Sequence, residues 1–388
     1  MTQQKIYLDY AATTPVDPEV LEAMLPYFSE IFGNPESLHS EGLDAKQALD
    51  HARNSCAKSL NCSSSEIIFT GSGTESNNLA IIGTARANKA RGNHLITSKI
   101  EHPSVLNTFK FLEKEGFKVT YLNVDKEGFV NLSELKNSLT KNTILVSIMF
   151  ANNEIGVVEP IEEIAKICQK HSILFHTDAC QATEYFKLDT KKLGIDLLTI
   201  NGSKIYGPKG TGILFIKKGT KIESISKGGN QEYGLRAGTH NLPGIIGIAR
   251  ALEISQKNFA KENKKTSLLR DYFIENILKK IPDATLNGPP CHSRESGNLR
   301  LPNNINLTIP KIEGKDLLLQ LDNFGIAVST GSACASGKND ASHVLLAIDL
   351  KENFAKSSIR ISLGKSTTKK ELEYVLEILP KVVQQLKN

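Results

Sequence analysis

The chain has 388 residues, of which 40% are hydrophobic and 23% charged, a balance that is typical of a globular protein and excludes a disordered one. Its formal net charge of +5 is spread over lysine-rich segments near both ends, without the basic stripe interleaved with aromatic residues that direct nucleic-acid binding requires. The longest mostly apolar run, 144–151, is far shorter than the roughly 20 residues of a membrane helix, and the first residues lack a signal peptide's apolar region, so we predict a cytoplasmic protein without a membrane span.

Strand and helix patterns alternate from about residue 65 to residue 216. Apolar runs of strand length lie at 66–70, 95–98, 119–124, 143–150 and 173–177, and helical spacing is found at 76–88, 105–115, 132–139 and 161–171. This alternation predicts an α/β fold with a mostly parallel sheet covered by helices on both faces. Ligands of such sheets bind beyond the carboxyl ends of the strands, where several polar motifs of this chain fall.

The last third of the chain has a different pattern. A long helix at about 242–278 is predicted to connect two domains, and it is followed by a strand, a helix, a strand and a terminal helix at 304–309, 314–323, 359–362 and 369–386. We therefore predict a second, smaller α+β domain. The intervening stretch 288–302 has almost no apolar residues, and we expect it to be an exposed insertion.

The run N-G-S-K-I-Y-G-P-K-G at 201–210 places Lys204 between an apolar stretch and a rigid turn. Burial disfavours the charged form of a lysine, and a neutral amine can attack a carbonyl to form a Schiff base, for which pyridoxal phosphate (PLP) is the usual partner. The alternative is an ordinary surface lysine in a turn, because lysine is rarely buried. The other motifs of the chain decide between these interpretations.

Three of these motifs follow predicted strands. The segment G-S-G-T-E-S-N-N at 71–78 includes Thr74 and can bind an anion at a helix N-terminus, or it can be an ordinary capped loop. His102 in E-H-P-S-V can stack on a planar ring or move a proton, or it can be structural. Asp178 in H-T-D-A-C-Q can hold a pyridine nitrogen protonated, with Gln181 near the ring hydroxyl, or it can cap a helix.

A fourth motif surrounds a cysteine with small residues. The six cysteines include no C-x-x-C pair, so neither a zinc site nor a disulfide framework is indicated, and we expect most of them to be small buried side chains. Cys334 lies in S-T-G-S-A-C-A-S-G at 329–337. A thiol with an ordinary pKa of about 8.5 is already a strong nucleophile at pH 7. The segment can carry this thiol to a substrate, or it can be a turn around a buried cysteine.

Together these motifs resemble the cysteine desulfurases of the class V aminotransferase group, which are fold-type I PLP enzymes. Further matching segments are Y-L-D-Y-A-A-T-T-P at 7–15, G-N-P-E-S-L-H at 33–39, N-N-E-I-G at 152–156, R-A-G-T-H-N at 236–241 and S-S-I-R-I-S-L-G at 357–364. The segment around Cys334 is similar to that of the branch with a long mobile catalytic loop.

The resemblance implies both the fold and the roles of individual residues. A large PLP-binding domain at 14–255 would hold a mostly parallel, seven-stranded sheet, and a smaller α+β domain at 1–13 and 256–388 would carry Cys334. The implied catalytic residues are Lys204, Cys334 and His102. The implied cofactor contacts are Gly73, Thr74, His102, Asp178, Gln181, Asn201, Ser203, Lys204 and, from the neighbouring subunit of a homodimer, Thr239. Asn153 and Arg360 would hold the substrate carboxylate, and no metal site is implied.

The implied reaction converts L-cysteine to L-alanine. Cys334 would keep the sulfur as a persulfide and pass it to an acceptor such as an iron–sulfur scaffold protein, or into tRNA thiolation. Two alternatives remain open: a selenocysteine lyase-like enzyme, and a non-catalytic paralogue that acts as a binding partner.

The chain departs from the usual family pattern next to Lys204. Asn201 stands where a serine is usual and Ser203 where a histidine is usual. Both side chains can still donate hydrogen bonds to a phosphate, although neither supplies the charge of a protonated histidine. We therefore expect PLP to bind somewhat more weakly than in relatives with the usual residues.

Overall fold

The computed structural model describes residues 5–290, 299–331 and 341–387. The strands are β1 Ile6–Tyr7, β2 Ile67–Thr70, β3 His94–Ser98, β4 Lys118–Leu122, β5 Thr143–Ser147, β6 Leu174–Asp178, β7 Leu197–Asn201, β8 Gly212–Ile216, β9 Thr285–Leu286, β10 Asn304–Thr308, β11 Ile326–Ala327 and β12 Ser358–Ser362. The α-helices are α1 Pro18–Met24, α2 Pro26–Ser29, α3 Ser40–Leu60, α4 Gly73–Asn78, α5 Thr84–Ala87, α6 Pro103–Lys114, α7 Leu132–Ser138, α8 Ile161–Lys170, α9 Thr190–Leu193, α10 Leu242–Lys280, α11 Gly314–Asp322, α12 His343–Ala347, α13 Glu352–Lys356 and α14 Lys369–Lys387.

The central sheet has seven strands in the order β2-β8-β7-β6-β5-β3-β4. Strands β4, β3, β5, β6 and β7 run parallel to one another, whereas β8 is antiparallel to both of its neighbours. Every residue of β3, β5 and β8 is buried, as expected for a sheet that is covered on both faces. The predicted mostly parallel sheet of the α/β class is therefore confirmed.

Successive strand residues point to opposite faces of this sheet and so join different hydrophobic cores. Leu198 belongs to a core that includes α3, α8 and the first part of α10. Its neighbour Leu197 belongs to a core that includes α6 and the π-helical turn Leu79–Gly83, which joins α4 to α5. The helices thus cover the sheet as a three-layer arrangement.

The last third of the chain forms a third core around the antiparallel sheet β12-β10-β9. This core includes α11, α14 and the second part of α10, together with Ile6 from the start of the chain, because β1 pairs with β11. The long helix α10 spans the first and third cores and ends two residues beyond the predicted 278. The division into 14–255 and 1–13 plus 256–388 stays a prediction.

The stretch 288–302 was expected to be an exposed insertion, and this expectation was wrong for Pro289 and for residues 300–302. Arg300 and Leu301 are buried. The Arg300 guanidinium donates to Pro289 O at 2.7 Å and to Asn304 Oδ1 at 3.1 Å, so its charge is offset by backbone and amide oxygens inside the fold. Residues 291–298 lie outside the described residues.

None of the helices in the described ranges combines the length and the apolar character that a bilayer span requires.

Candidate active site

A cleft lies beyond the carboxyl ends of β6 and β7, where the α/β sheet was predicted to bind its ligand. Nine of the residues singled out from the sequence line it: Gly73, Thr74, His102, Asn153, Asp178, Gln181, Asn201, Lys204 and Arg360. The central sheet brings eight of them together from its strand ends and the segments that follow them. Asn153 comes from the loop after β5, and Arg360 comes from β12 of the smaller sheet.

Three predicted site residues are not among those that line the cleft. Ser203 is half-buried and its hydroxyl lies 3.3 Å from Asn201 Oδ1. Thr239 is exposed, in the loop before α10. Cys334 lies outside the described residues.

Lys204 sits in a single 3₁₀ turn, Gly202–Lys204, directly after β7. Its ammonium group is turned toward the N-terminal segment, where Nζ donates to Ala11 O at 2.9 Å and to Ala12 O at 2.5 Å. Gln181 Nε2 donates to the same Ala11 carbonyl at 2.9 Å. The first residues of the chain therefore close one side of the cleft and hold the predicted reactive amine.

Asp178 is buried at the end of β6, and both of its oxygens accept hydrogen bonds. Oδ2 accepts from Asn77 Nδ2 at 2.7 Å, and Oδ1 accepts from the N–H of Cys180 at 3.0 Å. These two neutral donors compensate the burial of the carboxylate and set its orientation in the cleft. Asn77, Ser104 and Cys180 also line the cleft, and sequence reasoning did not assign them a role.

His102 lies at the N-terminus of α6, where its Nδ1 accepts from the N–H of Ser104 at 3.1 Å. Burial lowers the pKa of His102, and the positive charges of Lys204 and His343 act in the same direction, while Asp178 opposes them. The imidazole is therefore neutral near pH 7.

Arg360 is buried in the middle of β12 and faces the cleft between two polar partners. Its Nη2 donates to Asp9 Oδ1 at 2.7 Å, and its Nη1 donates to Asn153 O at 3.3 Å. Within the described part of the chain, Nε has no hydrogen-bond partner. A guanidinium of this kind can still pair with a carboxylate through its remaining N–H groups.

Glu154 lies between the two chain segments that flank Cys334 in sequence. Its Oε2 accepts from Ser342 Oγ at 2.5 Å, and a Cβ added to Gly331 would lie 3.0 Å from the same oxygen. Glu154 O accepts from Asn304 and Asn306 at 3.0 and 3.1 Å. The motif N-N-E-I-G therefore contacts Arg360 through Asn153 and lies, through Glu154, beside the residues that flank the segment 332–340. The Glu154 carboxylate is visible in this sequence motif, but sequence reasoning assigned it no role.

The described cysteines differ in burial but share raised pKa values. Burial raises the pKa of Cys62 and of Cys168 to about 12, and that of Cys56 still further. In the cleft, burial and the neighbouring Asp178 raise the pKa of Cys180 well above its ordinary value. These thiols stay protonated near pH 7 and are poor nucleophiles.

Among residues 5–290, 299–331 and 341–387, no group of three or more His, Cys, Asp or Glu side chains is placed to hold a metal ion.

Known proteins with the same architecture match the chain over nearly its whole length. The family model for class V aminotransferases matches residues 6–375. The cysteine desulfurase IscS of Clostridium botulinum is 52% identical over 98% of this chain and 95% of its own length. The solved structure of a NifS-like protein has a TM-score of 0.91 and 37% identity, and the match covers 98% of this chain and all of the other.

A solved structure described as SspA in complex with cysteine is also similar, with a TM-score of 0.79 and 37% identity over 92% of this chain and 99% of the other. Identity of this extent over nearly the whole chain shows descent from one group. The chain belongs to the class V aminotransferase family, and within it to the cysteine desulfurases.

Proposed function

We propose that the chain is a PLP-dependent cysteine desulfurase that converts L-cysteine to L-alanine and keeps the sulfur as a persulfide on Cys334. One observation carries this proposal. A single cleft holds the amine of Lys204, the carboxylate of Asp178, the neutral imidazole of His102 and the guanidinium of Arg360. Amine, carboxylate and imidazole suit a carbonyl cofactor, and the guanidinium suits an amino-acid carboxylate.

The residues of the cleft fit PLP in three respects. The backbone N–H groups at the start of α4 are suited to a phosphate, and Thr74 adds a hydroxyl. Gly73 allows the backbone to lie close to Cys180 and Asn201, since a Cβ there would lie 2.8 Å from Cys180 Sγ and 3.1 Å from Asn201 Cβ. Asp178 supplies a fixed carboxylate for a ring nitrogen. We assign Gly73, Thr74, Asn201 and Ser203 to the phosphate side, and His102, Asp178 and Gln181 to the ring.

When bound, PLP supplies a carbonyl carbon that links to an amine and a protonated ring that withdraws electrons from the bonds at the substrate's α-carbon. Lys204 Nζ then removes the α-proton. Arg360 and Asn153 bind the substrate carboxylate and fix the orientation of the molecule. The thiolate of Cys334 attacks the substrate sulfur, so that an S–S bond forms and the electron pair of the C–S bond stays with carbon, which takes up protons to give alanine.

We further propose that the enzyme is a homodimer and transfers the sulfur to an acceptor protein such as an iron–sulfur scaffold. Thr239 is exposed and does not line the cleft of its own subunit, which supports a role in a neighbouring one. Large apolar side chains are exposed on and around α1, α2 and α3, among them Leu25, Phe28, Phe32 and Leu38, and such a patch favours an interface. The cytoplasmic location stays a prediction.

Product analysis with L-cysteine tests the proposed function. Purified holoenzyme with L-cysteine and a thiol reductant should release alanine and sulfide in equal amounts. The Cys334→Ala variant should keep the visible absorption of bound PLP and lose sulfide release. Equal sulfide from both proteins would refute the role of Cys334. Turnover of selenocysteine alone would instead support a selenocysteine lyase, and no turnover of either would support a non-catalytic binding partner.

A further inference from the structure

A chain of hydrogen bonds inside the cleft connects Asp178 to His102. Asn77 Nδ2 donates to Asp178 Oδ2 at 2.7 Å and to Ser104 Oγ at 2.9 Å. Ser104 Oγ in turn lies 2.7 Å from His102 Nδ1. The end formed by Asn77 and Asp178 is shielded from water, since Asn77 is 1% exposed and Asp178 is 7% exposed, whereas Ser104 and His102 are half-buried.

The chemistry of the four side chains fixes which one donates and which one accepts each of these hydrogen bonds. A carboxylate oxygen only accepts, so the amide nitrogen of Asn77 must face Asp178, and both of its hydrogens are then used by Asp178 and Ser104. Because Ser104 Oγ accepts from Asn77, its own hydrogen is available for His102 Nδ1. The N–H of Ser104 points at the same nitrogen, at 3.1 Å. A ring nitrogen that accepts from two donors cannot carry a proton, which leaves the hydrogen of the neutral ring on Nε2.

We propose that Asn77 and Ser104 are positioning residues that hold His102 as the neutral tautomer protonated at Nε2, so that Nε2–H acts as a hydrogen-bond donor and the basic lone pair of Nδ1 is occupied. This inference rests on the proposed function, which places His102 against the cofactor ring, and adds the tautomer in which the imidazole is held. Ser104 contributes through the imidazole and has no assigned contact with the substrate.

The charged groups around His102 are consistent with a neutral ring. Lys204 from the turn after β7 and His343 from α12 disfavour the imidazolium, whereas Asp178 from β6 favours it, and burial is the largest effect. Glu101 precedes His102 in the chain, and burial raises the pKa of its carboxyl to about 8, so that it is mostly uncharged near pH 7. The two donors to Nδ1 also favour the neutral imidazole, because they can hydrogen-bond only to an unprotonated Nδ1.

The test follows both nitrogens of His102 by NMR in holoenzyme labelled with ¹⁵N-histidine, with His102→Gln used to assign the signals. In the wild type, Nδ1 should be the unprotonated nitrogen. The Ser104→Ala variant loses one of two donors to the neutral ring, so the pKa of His102 should rise by about half to one pH unit. The acidic limb of kcat/KM should move to higher pH by the same amount, and Ser104→Thr, which keeps a hydroxyl, should restore the wild-type titration.

Ser133→Ala is the matched control. Ser133 occupies the same position in α7 that Ser104 occupies in α6, and its N–H likewise bonds to the capping side chain, here Asn131 at 2.9 Å. This variant should leave the titration of His102 unchanged. Finding the proton on Nδ1 in the wild type, or an unchanged titration in Ser104→Ala, would overturn the inference. Because the tautomer is read without turnover, an enzyme that fails to act on cysteine would contradict the proposed function and still test this inference.

Discussion

The two walls of the cleft are assembled differently. The cofactor wall, defined by Asn77, His102, Asp178 and Lys204, comes from one strand end of the central sheet and from the helices and the turn that directly follow its strands. The substrate wall, defined by Asp9, Asn153, Glu154 and Arg360, joins the start of the chain, one loop of the large sheet and a strand of the small one. The central sheet positions the backbone of the first wall, and only Lys204 Nζ is also held by the first residues of the chain. The second wall depends throughout on how the N-terminal segment and the last third pack against that sheet.

The difference separates two kinds of effect. A change in the cofactor wall should alter the chemistry or the absorption of bound PLP. A change in the substrate wall should alter the affinity for L-cysteine and leave the absorption of the resting enzyme as it was. Single substitutions in each wall test whether these two kinds of effect are distinct.

The largest effect is expected for Asp178→Asn in the cofactor wall. The amide is isosteric but carries no negative charge to favour a protonated ring nitrogen, so kcat should fall about 10²- to 10³-fold, with a much smaller change in KM for L-cysteine. Steady-state alanine formation measures both constants. Asp189→Asn, at the N-cap of the surface helix α9, is the control and should keep the wild-type kcat. A change in KM with an unchanged kcat would show that this residue of the cofactor wall acts in the way expected of the substrate wall.

A somewhat smaller effect is expected for Arg360→Lys in the substrate wall. Lysine keeps the charge but loses the fork that pairs with a carboxylate, so kcat/KM should fall about 10- to 100-fold, mainly through KM. The absorption spectrum without substrate should match the wild type. Arg250→Lys, in the first part of α10 and outside the lining of the cleft, serves as the control. An altered resting spectrum would place Arg360 in the cofactor wall instead.

Asp9→Asn should have a more modest effect in the same wall. It removes the charge that Arg360 Nη2 contacts at 2.7 Å, and the less firmly oriented guanidinium should raise KM several-fold to about 10-fold. Combined with Arg360→Lys, it should add little, because both changes act on one interaction. Asp17→Asn, which alters the N-cap of α1, is the control. Fully additive losses would show that Asp9 acts independently of Arg360.

The smallest effect is expected for Ser203→His, which restores the usual family residue beside Lys204. An added imidazole near the phosphate side should lower the Kd of apoenzyme for PLP several-fold, while kcat at saturating PLP stays the same. Titration of the two apoenzymes with PLP, followed by absorption, measures this. Identical dissociation constants would show that the serine does not weaken cofactor binding.

The cofactor wall was largely predictable because its residues follow apolar strands in recognisable motifs. The substrate wall was less so: Arg360 and Asn153 were assigned only through the family resemblance, and the contact between Asp9 and Arg360 joins positions that are 351 residues apart. Asn77 and Ser104 were missed because their role depends on which atoms face each other. The antiparallel direction of β8 cannot be derived from its apolar run, and the buried Arg300 was mistaken for surface because polar composition does not reveal partners inside the fold.

In the resting enzyme, Lys204 Nζ should be covalently linked to the carbonyl carbon of PLP. Borohydride reduction of the holoenzyme, followed by proteolysis and mass spectrometry of the peptides, tests it directly. We expect one reduced pyridoxyl group per chain, on the peptide that contains Lys204, and none in Lys204→Ala. A label on another lysine, such as Lys209, or no label in the wild type, would contradict it.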